Sequence, residues 1–370
     1  MTGLRIKILL VLVTTACTLL GCSPPEPFRI GFIGGISGRY ADLGIGGRNG
    51  VALAIEMRNT AGGIDGRKIE LLVEDDKQDG SIAREALQHL LARKVDAVIG
   101  PMTSQMAAVC VPLINSTETI MISPTVTSTS FSGLNDNFLR VIAPTTAYAR
   151  KNADYHFNHQ GDRRIAVAYD LRNRLYTESW LADYRAAFVA LGGEIIKEEP
   201  YASGEETDFT QLANQLLEAK PEAVLIIANS VDTALLAQQL RKRDPSIRIT
   251  TSEWAATERL TELGGKAVEG MVIAQFLDRN SRHPPFVAFR NAYLERFGQE
   301  PGFAGITGFD AANVTLDALA GMKKGQTLKQ AILERRVFGG AQSEIRFDAT
   351  GDATRETYMT VIRDGVFVRL

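Results

Sequence analysis

Phe28-Arg29-Ile30-Gly31-Phe32-Ile33 begins the stretch of sequence whose pattern decides the fold. Its aromatic and β-branched residues predict a strand. Gly50 to Asn59 follows, with Val51, Leu53, Ala54, Ile55 and Met57 supplying the apolar surface of a helix that Gly62-Gly63 stops. Lys68 to Val73 predicts the next strand. Ser81 is placed to cap a second helix, in which Ile82, Ala86, Leu87, Leu90 and Leu91 share one face. Val95 to Ile99 is a third strand, broken by Gly100-Pro101.

The alternation continues further along the chain. Arg164 to Tyr169, Glu194 to Lys197, Ala223 to Ala228 and Ile247 to Thr251 read as strands, and Thr177 to Leu191, Phe209 to Ala219 and Thr233 to Arg243 as helices. Strands alternating with helices imply parallel sheets covered on both faces. There are too many such units for one ordinary domain, so the expected fold is α/β with two doubly wound parallel-sheet lobes. Ligands in such sheets bind beyond the carboxyl ends of the strands, and two facing sheets place those ends around one cleft.

Upstream of Phe28, Arg5 and Lys7 precede an apolar run from Ile8 to Leu20. The run is shorter than the roughly 20 residues of a membrane-spanning helix. It reads as a secretory signal over residues 1–21. Leu19-Leu20-Gly21-Cys22 is similar to the bacterial lipobox, which implies lipidation of Cys22 and anchoring to a membrane. Ser23-Pro24-Pro25-Glu26-Pro27 completes a tether over residues 22–27, since proline fixes φ and removes donors. Downstream, no segment is long and apolar enough to span a bilayer as a helix.

Lys+Arg total 41 against 43 Asp+Glu, for a net charge of -2, which argues against a nucleic-acid partner. Of the three cysteines, Cys17 leaves with the signal and Cys22 takes lipid, so Cys110 has no partner for a disulfide. In the apolar stretch Met106 to Ile114 it reads as a buried small hydrophobe.

Motifs of catalysis fail one by one. Gly44-Ile45-Gly46-Gly47-Arg48-Asn49-Gly50 puts Asn49 where a dinucleotide fingerprint needs glycine. Gly35-Ile36-Ser37-Gly38-Arg39 lacks the last glycine of a nucleophile elbow. Asp75-Asp76-Lys77-Gln78-Asp79-Gly80 begins like a calcium loop, but Lys77 holds a ligand position and Ala86 stands where a bidentate Glu belongs; it reads as a solvated turn. His89, His156, His159 and His283 lack metal-ligand spacing and read as surface residues. Neither a cofactor nor an enzymatic activity is expected.

Several stretches resemble the leucine/isoleucine/valine-binding proteins, type I periplasmic binding proteins of hydrophobic amino acid ABC transporters. They are Ile36 to Gly44, Ala61 to Arg67, Glu74-Asp75-Asp76, Ile99-Gly100-Pro101-Met102-Thr103-Ser104 and Ile122-Ser123-Pro124-Thr125-Val126-Thr127. Their order and spacing carry the resemblance from Phe28 almost to Leu370. It implies a three-strand hinge crossing near Ala143, Gln275 and Phe347. Lobe one is then residues 28–143 and 276–346, and lobe two 144–275 and 347–370.

The resemblance also implies a pocket for a zwitterion, both of whose charges need partners when buried. Ser104, at a helix start, matches the residue that holds the α-carboxylate, where the helix N-terminus also favours an anion. A plain cap is the commoner role for such a serine. Thr125 and Thr127 match positions that contact the ammonium, Thr127 also reaching the carboxylate through its N–H. Glu253, after a predicted strand in Ile249-Thr250-Thr251-Ser252-Glu253-Trp254, matches the acid that closes over the ammonium. Trp254 beside it is either an apolar wall or core. Leu43 replaces a common aromatic, Tyr176 matches a stacking tyrosine at the end of a slightly lengthened loop, and Ser230 stands where an aromatic is usual. The zwitterion clamp is therefore expected to be kept and the side-chain pocket altered.

Together these readings point to an exported lipoprotein at the outer face of a membrane or in the periplasm, delivering a small molecule such as an amino acid to ABC permease subunits. A ligand-sensing protein that signals to a membrane receptor uses the same closure. A secreted enzyme on this scaffold is the third reading, opposed by the missing cofactor motifs.

Overall fold

The computed structural model describes residues 25–370; the expected signal and Cys22 lie outside the described residues. The chain begins β1 (Phe28–Gly34), α1 (Ala41–Thr60), β2 (Ile69–Asp75), α2 (Gly80–Ala92), β3 (Ala97–Ile99), α3 (Ser104–Ile114), β4 (Ile120–Ser123) and β5 (Phe138–Arg140). These strands form one parallel sheet in the order β2-β1-β3-β4-β5. Every residue of β3 and β4 is buried, which is why they are continuous apolar runs rather than alternating ones.

After Arg140 the chain leaves this sheet. It continues as α4 (Thr145–Asp154), β6 (Arg164–Asp170), α5 (Arg174–Ala190), β7 (Glu194–Tyr201), α6 (Phe209–Glu218), β8 (Ala223–Ile227), α7 (Ser230–Arg243), β9 (Arg248–Thr251), α8 (Glu258–Gly264) and β10 (Val272–Gln275). It then returns as α9 (Pro284–Phe297) and α10 (Phe303–Gly321), both packed on α1, followed by α11 (Leu328–Arg335), β11 (Val337–Gly339), β12 (Glu344–Phe347) and β13 (Ala353–Thr354). Finally β14 (Tyr358–Arg363) and β15 (Val366–Arg369) join the second sheet, whose order is β15-β14-β10-β9-β8-β6-β7. Strands β11 to β13 form a small antiparallel sheet.

In the first sheet β2 and β3 flank β1, and in the second β7 and β8 flank β6. Each sheet therefore has a switch point where helices depart to opposite faces, and the loops beyond it diverge to leave a crevice. The alternating pattern read from sequence located β1, β2, α2, β3, β6, α5, β7, α6, β8, α7 and β9, with ends that shift by a few residues; β5, α4, β10, α9, α10, α11 and β11 to β13 were not read from it.

Four expectations need correction. The helix predicted from Gly50 starts at Ala41, so Gly44, Gly47 and Gly50 lie inside it. A Cβ on Gly50 would be driven into the carbonyl of Gly305 in α10, so glycine lets the two helices touch backbone to backbone. That contact overrides a weak helix propensity. Second, Asp79 caps α2 rather than Ser81, accepting from the Ser81 and Ile82 amides. Third, His156 is buried against the Tyr184 hydroxyl at 2.6 Å, and burial pushes its pKa down to about 3. Fourth, the Asp75–Gly80 turn is not wholly solvated: Asp76 is buried, and burial raises its pKa to about 6. Cys110 is buried as expected, its thiol pushed up to about 12 by desolvation.

Residues 348–354, expected beyond the third crossing, stay with the first sheet. The Gly351 carbonyl accepts from the Arg140 amide, and Asp352 receives the Arg140 guanidinium at 2.6 Å. The chain reaches the second sheet only at β14.

Candidate functional site

The carboxyl ends of β3, β4, β6 and β9 converge on a cavity with about 20 Å³ of free space. Its wall includes Leu43, Ser104, Thr125, Thr127, Tyr176 and Glu253. These six come from both sheets and are widely separated in sequence.

Local chemistry sets each one. Gly100 has φ +120, and a Cβ there would strike the Ile33 carbonyl, so the chain turns sharply out of β3 into α3. Ser104 is the first residue of α3; no side chain caps the helix at Thr103. The Ser104 hydroxyl accepts from the Ser128 amide at 3.3 Å, so it is not the helix cap. The Gln105 amide is met by Asn173 Oδ1 at 3.1 Å, from beyond β6. Ser123 folds the next loop, its hydroxyl accepting from the Val126 amide at 3.1 Å. Thr125 donates to the Met102 carbonyl at 2.5 Å, and the Thr127 carbonyl accepts from the Thr145 amide at 2.8 Å.

Glu253 follows β9 and is buried. Its Oε2 accepts from the Trp180 indole N–H at 2.8 Å, and its Oε1 from the Thr127 hydroxyl at 3.5 Å. Burial raises its pKa to about 7, against the pull of these donors. Tyr176 stands edge-on to Trp254, ring centroids 5.5 Å apart. Its hydroxyl is buried without an aligned hydrogen bond, and burial with the nearby Glu253 charge raises its pKa well above the ordinary value.

Ser230 is not in the cavity wall. Its hydroxyl donates instead to Asp42 Oδ2 at 2.6 Å, because α7 begins where α1 crosses the cleft. Sequence reasoning missed Met102, Thr103, Ile142, Asn173 and Phe303, all of which line the cavity. Met102 and Thr103 adjoin Ser104 in sequence. Phe303 carries no local signal, since α10 delivers it from far along the chain. Trp180 was also missed, though it lies one helical turn after Tyr176 and so shares its face.

The arrangement sets the N-terminus of α3, whose Gln105 amide Asn173 already meets, and a buried carboxylate into the wall of one small aromatic-lined space. The first suits an anion and the second a cation or, when protonated, a hydrogen-bond acceptor.

Comparison with known proteins gives the family and the fold. A model of the periplasmic binding protein family matches residues 27–366. The Leu/Ile/Val-binding protein homolog 3 of Brucella melitensis is 26% identical over 67% of this chain and 67% of its own length. Among solved structures, the branched-chain amino acid transporter substrate binding protein LivJ of Streptococcus pneumoniae, in complex with isoleucine, superposes with TM-score 0.85. It is 22% identical, and the match covers 93% of this chain and 99% of that one. A solute binding protein of an ABC transporter from Rhodopseudomonas palustris, in complex with 3,4-dihydroxy benzoic acid, gives 0.83 at 21% identity over 93% and 96%. The fold is thus that of the type I periplasmic binding proteins. With the family match running through both sheets and every strand around the cavity, the chain belongs to the periplasmic binding protein family.

Proposed function

We propose that this chain is an exported, lipid-anchored solute-binding protein that captures a small α-amino acid between two lobes and hands it to an ABC importer. The observation that carries this is the shared cavity wall of Ser104, at the start of α3, and Glu253. An amino acid carries complementary charges a few bonds apart. Its carboxylate suits the α3 amides and Ser104, and its ammonium suits Glu253 Oε1 beside the Thr127 hydroxyl. Leu43, Tyr176, Trp254 and Phe303 supply apolar wall for the side chain, and the lobes part to admit it, since the space between them here is water-sized. The first lobe comprises 28–143 with 276–354, and the second 144–275 with the terminal strands, moving about crossings near Ala143, Gln275 and Arg355. The anchor is Cys22.

A second reading is an aromatic carboxylate. It is favoured by the aromatic walls and by Glu253, which with a pKa near 7 can carry a proton and donate to a neutral group.

Thermal stability in the presence of each ligand class separates the two. Ligand at ~100 times its Kd stabilises the folded chain by about 2.7 kcal/mol. Small neutral amino acids are expected to raise the melting temperature and benzoates to leave it unchanged. Glu253→Gln is expected to weaken amino acid binding by about 30-fold or more, since removing a buried charged partner costs ~2–5 kcal/mol. A shift with benzoates alone, or unchanged amino acid affinity in the variant, overturns the zwitterion reading.

A further inference from the structure

One short segment that does not line the cavity lies between it and the outer groove. From residues 39–42, between β1 and the first turn of α1, three side chains cross to the second lobe. Arg39 Nε lies 2.6 Å from Asp232 Oδ1. The Tyr40 hydroxyl donates to Asp170 Oδ2 at 3.0 Å. Asp42 Oδ2 accepts from Ser230 at 2.6 Å and from Thr257 at 2.7 Å. The receiving groups are held in place by their own lobe. Asp170 accepts from the amides of Arg172 and Ser203, and Asp232 accepts from the Tyr201 hydroxyl.

The same segment builds a partition. The Tyr40 ring stacks on Trp254, centroids 5.5 Å apart and planes 23° from parallel. Trp254 lines the inner cavity, while Tyr40 lines an outer groove of about 790 Å³, and no residue lines both spaces.

We infer that residues 39–42 form a strap that holds the lobes shut and sets how long the ligand stays, through Arg39, Tyr40 and Asp42 acting as positioning residues. Asp170 and Asp232 are buried when the strap is docked. Undocked, water solvates them. Removing Arg39 or Tyr40 takes a donor from a buried carboxylate, and removing Asp42 strands the Ser230 and Thr257 hydroxyls, in the closed form alone; each shifts the equilibrium toward open, by roughly two- to tenfold for each hydrogen bond lost. Since the strap does not line the cavity, its loss lowers affinity for every ligand in equal ratio. Glu253 instead discriminates by ligand charge. The retention role rests on the binding-protein reading; the closure role does not.

The chain has two tryptophans, Trp180 and Trp254, and both are buried at this site. Acrylamide quenching of the ligand-free, full-length chain therefore reads closure directly. The double variant Tyr40→Phe/Asp42→Ala is expected to show a quenching constant raised at least about twofold, with the far-ultraviolet circular dichroism of the parent. If that variant does not fold, Tyr40→Phe alone, which keeps the stacked ring, is read in the same way. Quenching equal to the parent in the folded variant overturns the strap. The measurement uses no ligand, so a failed amino acid screen leaves it standing, and a failed strap leaves the screen standing.

Discussion

Glu253 binds its proton more tightly in the folded chain than in the unfolded one, because burial raises its pKa from 4.5 to about 7. The sign follows directly. Its contribution to stability is present below about pH 4.5 and is lost as the pH rises through about 7. The full shift corresponds to roughly 3 kcal/mol. Glu253→Gln fixes the neutral form, so the ligand-free variant should match the parent near pH 4 and exceed it by up to about 3 kcal/mol at pH 8. Urea unfolding at the two pH values checks this. Asp76, also raised by burial, titrates in both proteins and cancels in the comparison. The residue that suits an ammonium thus destabilises the chain until something cationic meets it. Ser104, Thr125, Thr127 and Glu253 were named through the family resemblance, and they meet at the cavity because each lies in the segment after a strand and topology brings strand ends together. Phe303 was not legible, since its approach depends on how α10 packs. Ser230 was misjudged because its helix docks on Asp42, a contact between lobes that no local pattern announces.

At the scale of elements, α1 shows where propensity and packing disagree. Its glycines precede or open the helix read from sequence, yet Gly46, Gly47 and Gly50 are the face on which α10 lies, while Gly44 meets the Gly35 carbonyl. Gly308 approaches Gly47 as closely as Gly305 approaches Gly50. Gly50→Ala should therefore lower stability by at least ~1–3 kcal/mol, the usual cost of overpacking, despite alanine's better helix propensity. Gly46→Ala, whose Cβ would come no nearer than 3.3 Å, to the Ala304 methyl, is expected to be far milder. Thermal unfolding of the two variants tests the contrast; equal losses would refute the backbone contact. The strands were legible because β-branched runs between turn signals persist whatever packs on them. The start of α1, the α2 cap and the burial of His156 were not, because each depends on a partner from elsewhere or on a competing local hydrogen bond.

Across the whole molecule, one side chain gathers the proposed crossings. Arg355, itself at the last of them, donates from Nε to the Val141 carbonyl at 2.6 Å. Its guanidinium lies 5.0 Å from the Phe276 ring and pairs with buried Asp310 at 2.5 Å. Removing one partner of a buried pair leaves the other uncompensated, so Arg355→Ala should cost about 3–5 kcal/mol in urea unfolding. Arg355→Met combined with Asp310→Leu should recover much of that loss; no recovery would mean that the pair itself is not the source. A joint held at one point also has one resting angle. In the proposed hinge the three connections meet at Val141, Phe276, Asp310 and Arg355, none of which lines the cavity. Binding strength in such a molecule has an adjustment remote from recognition. Substitutions at the joint can make the protein hold the same solute more or less firmly while leaving unchanged which solute it prefers.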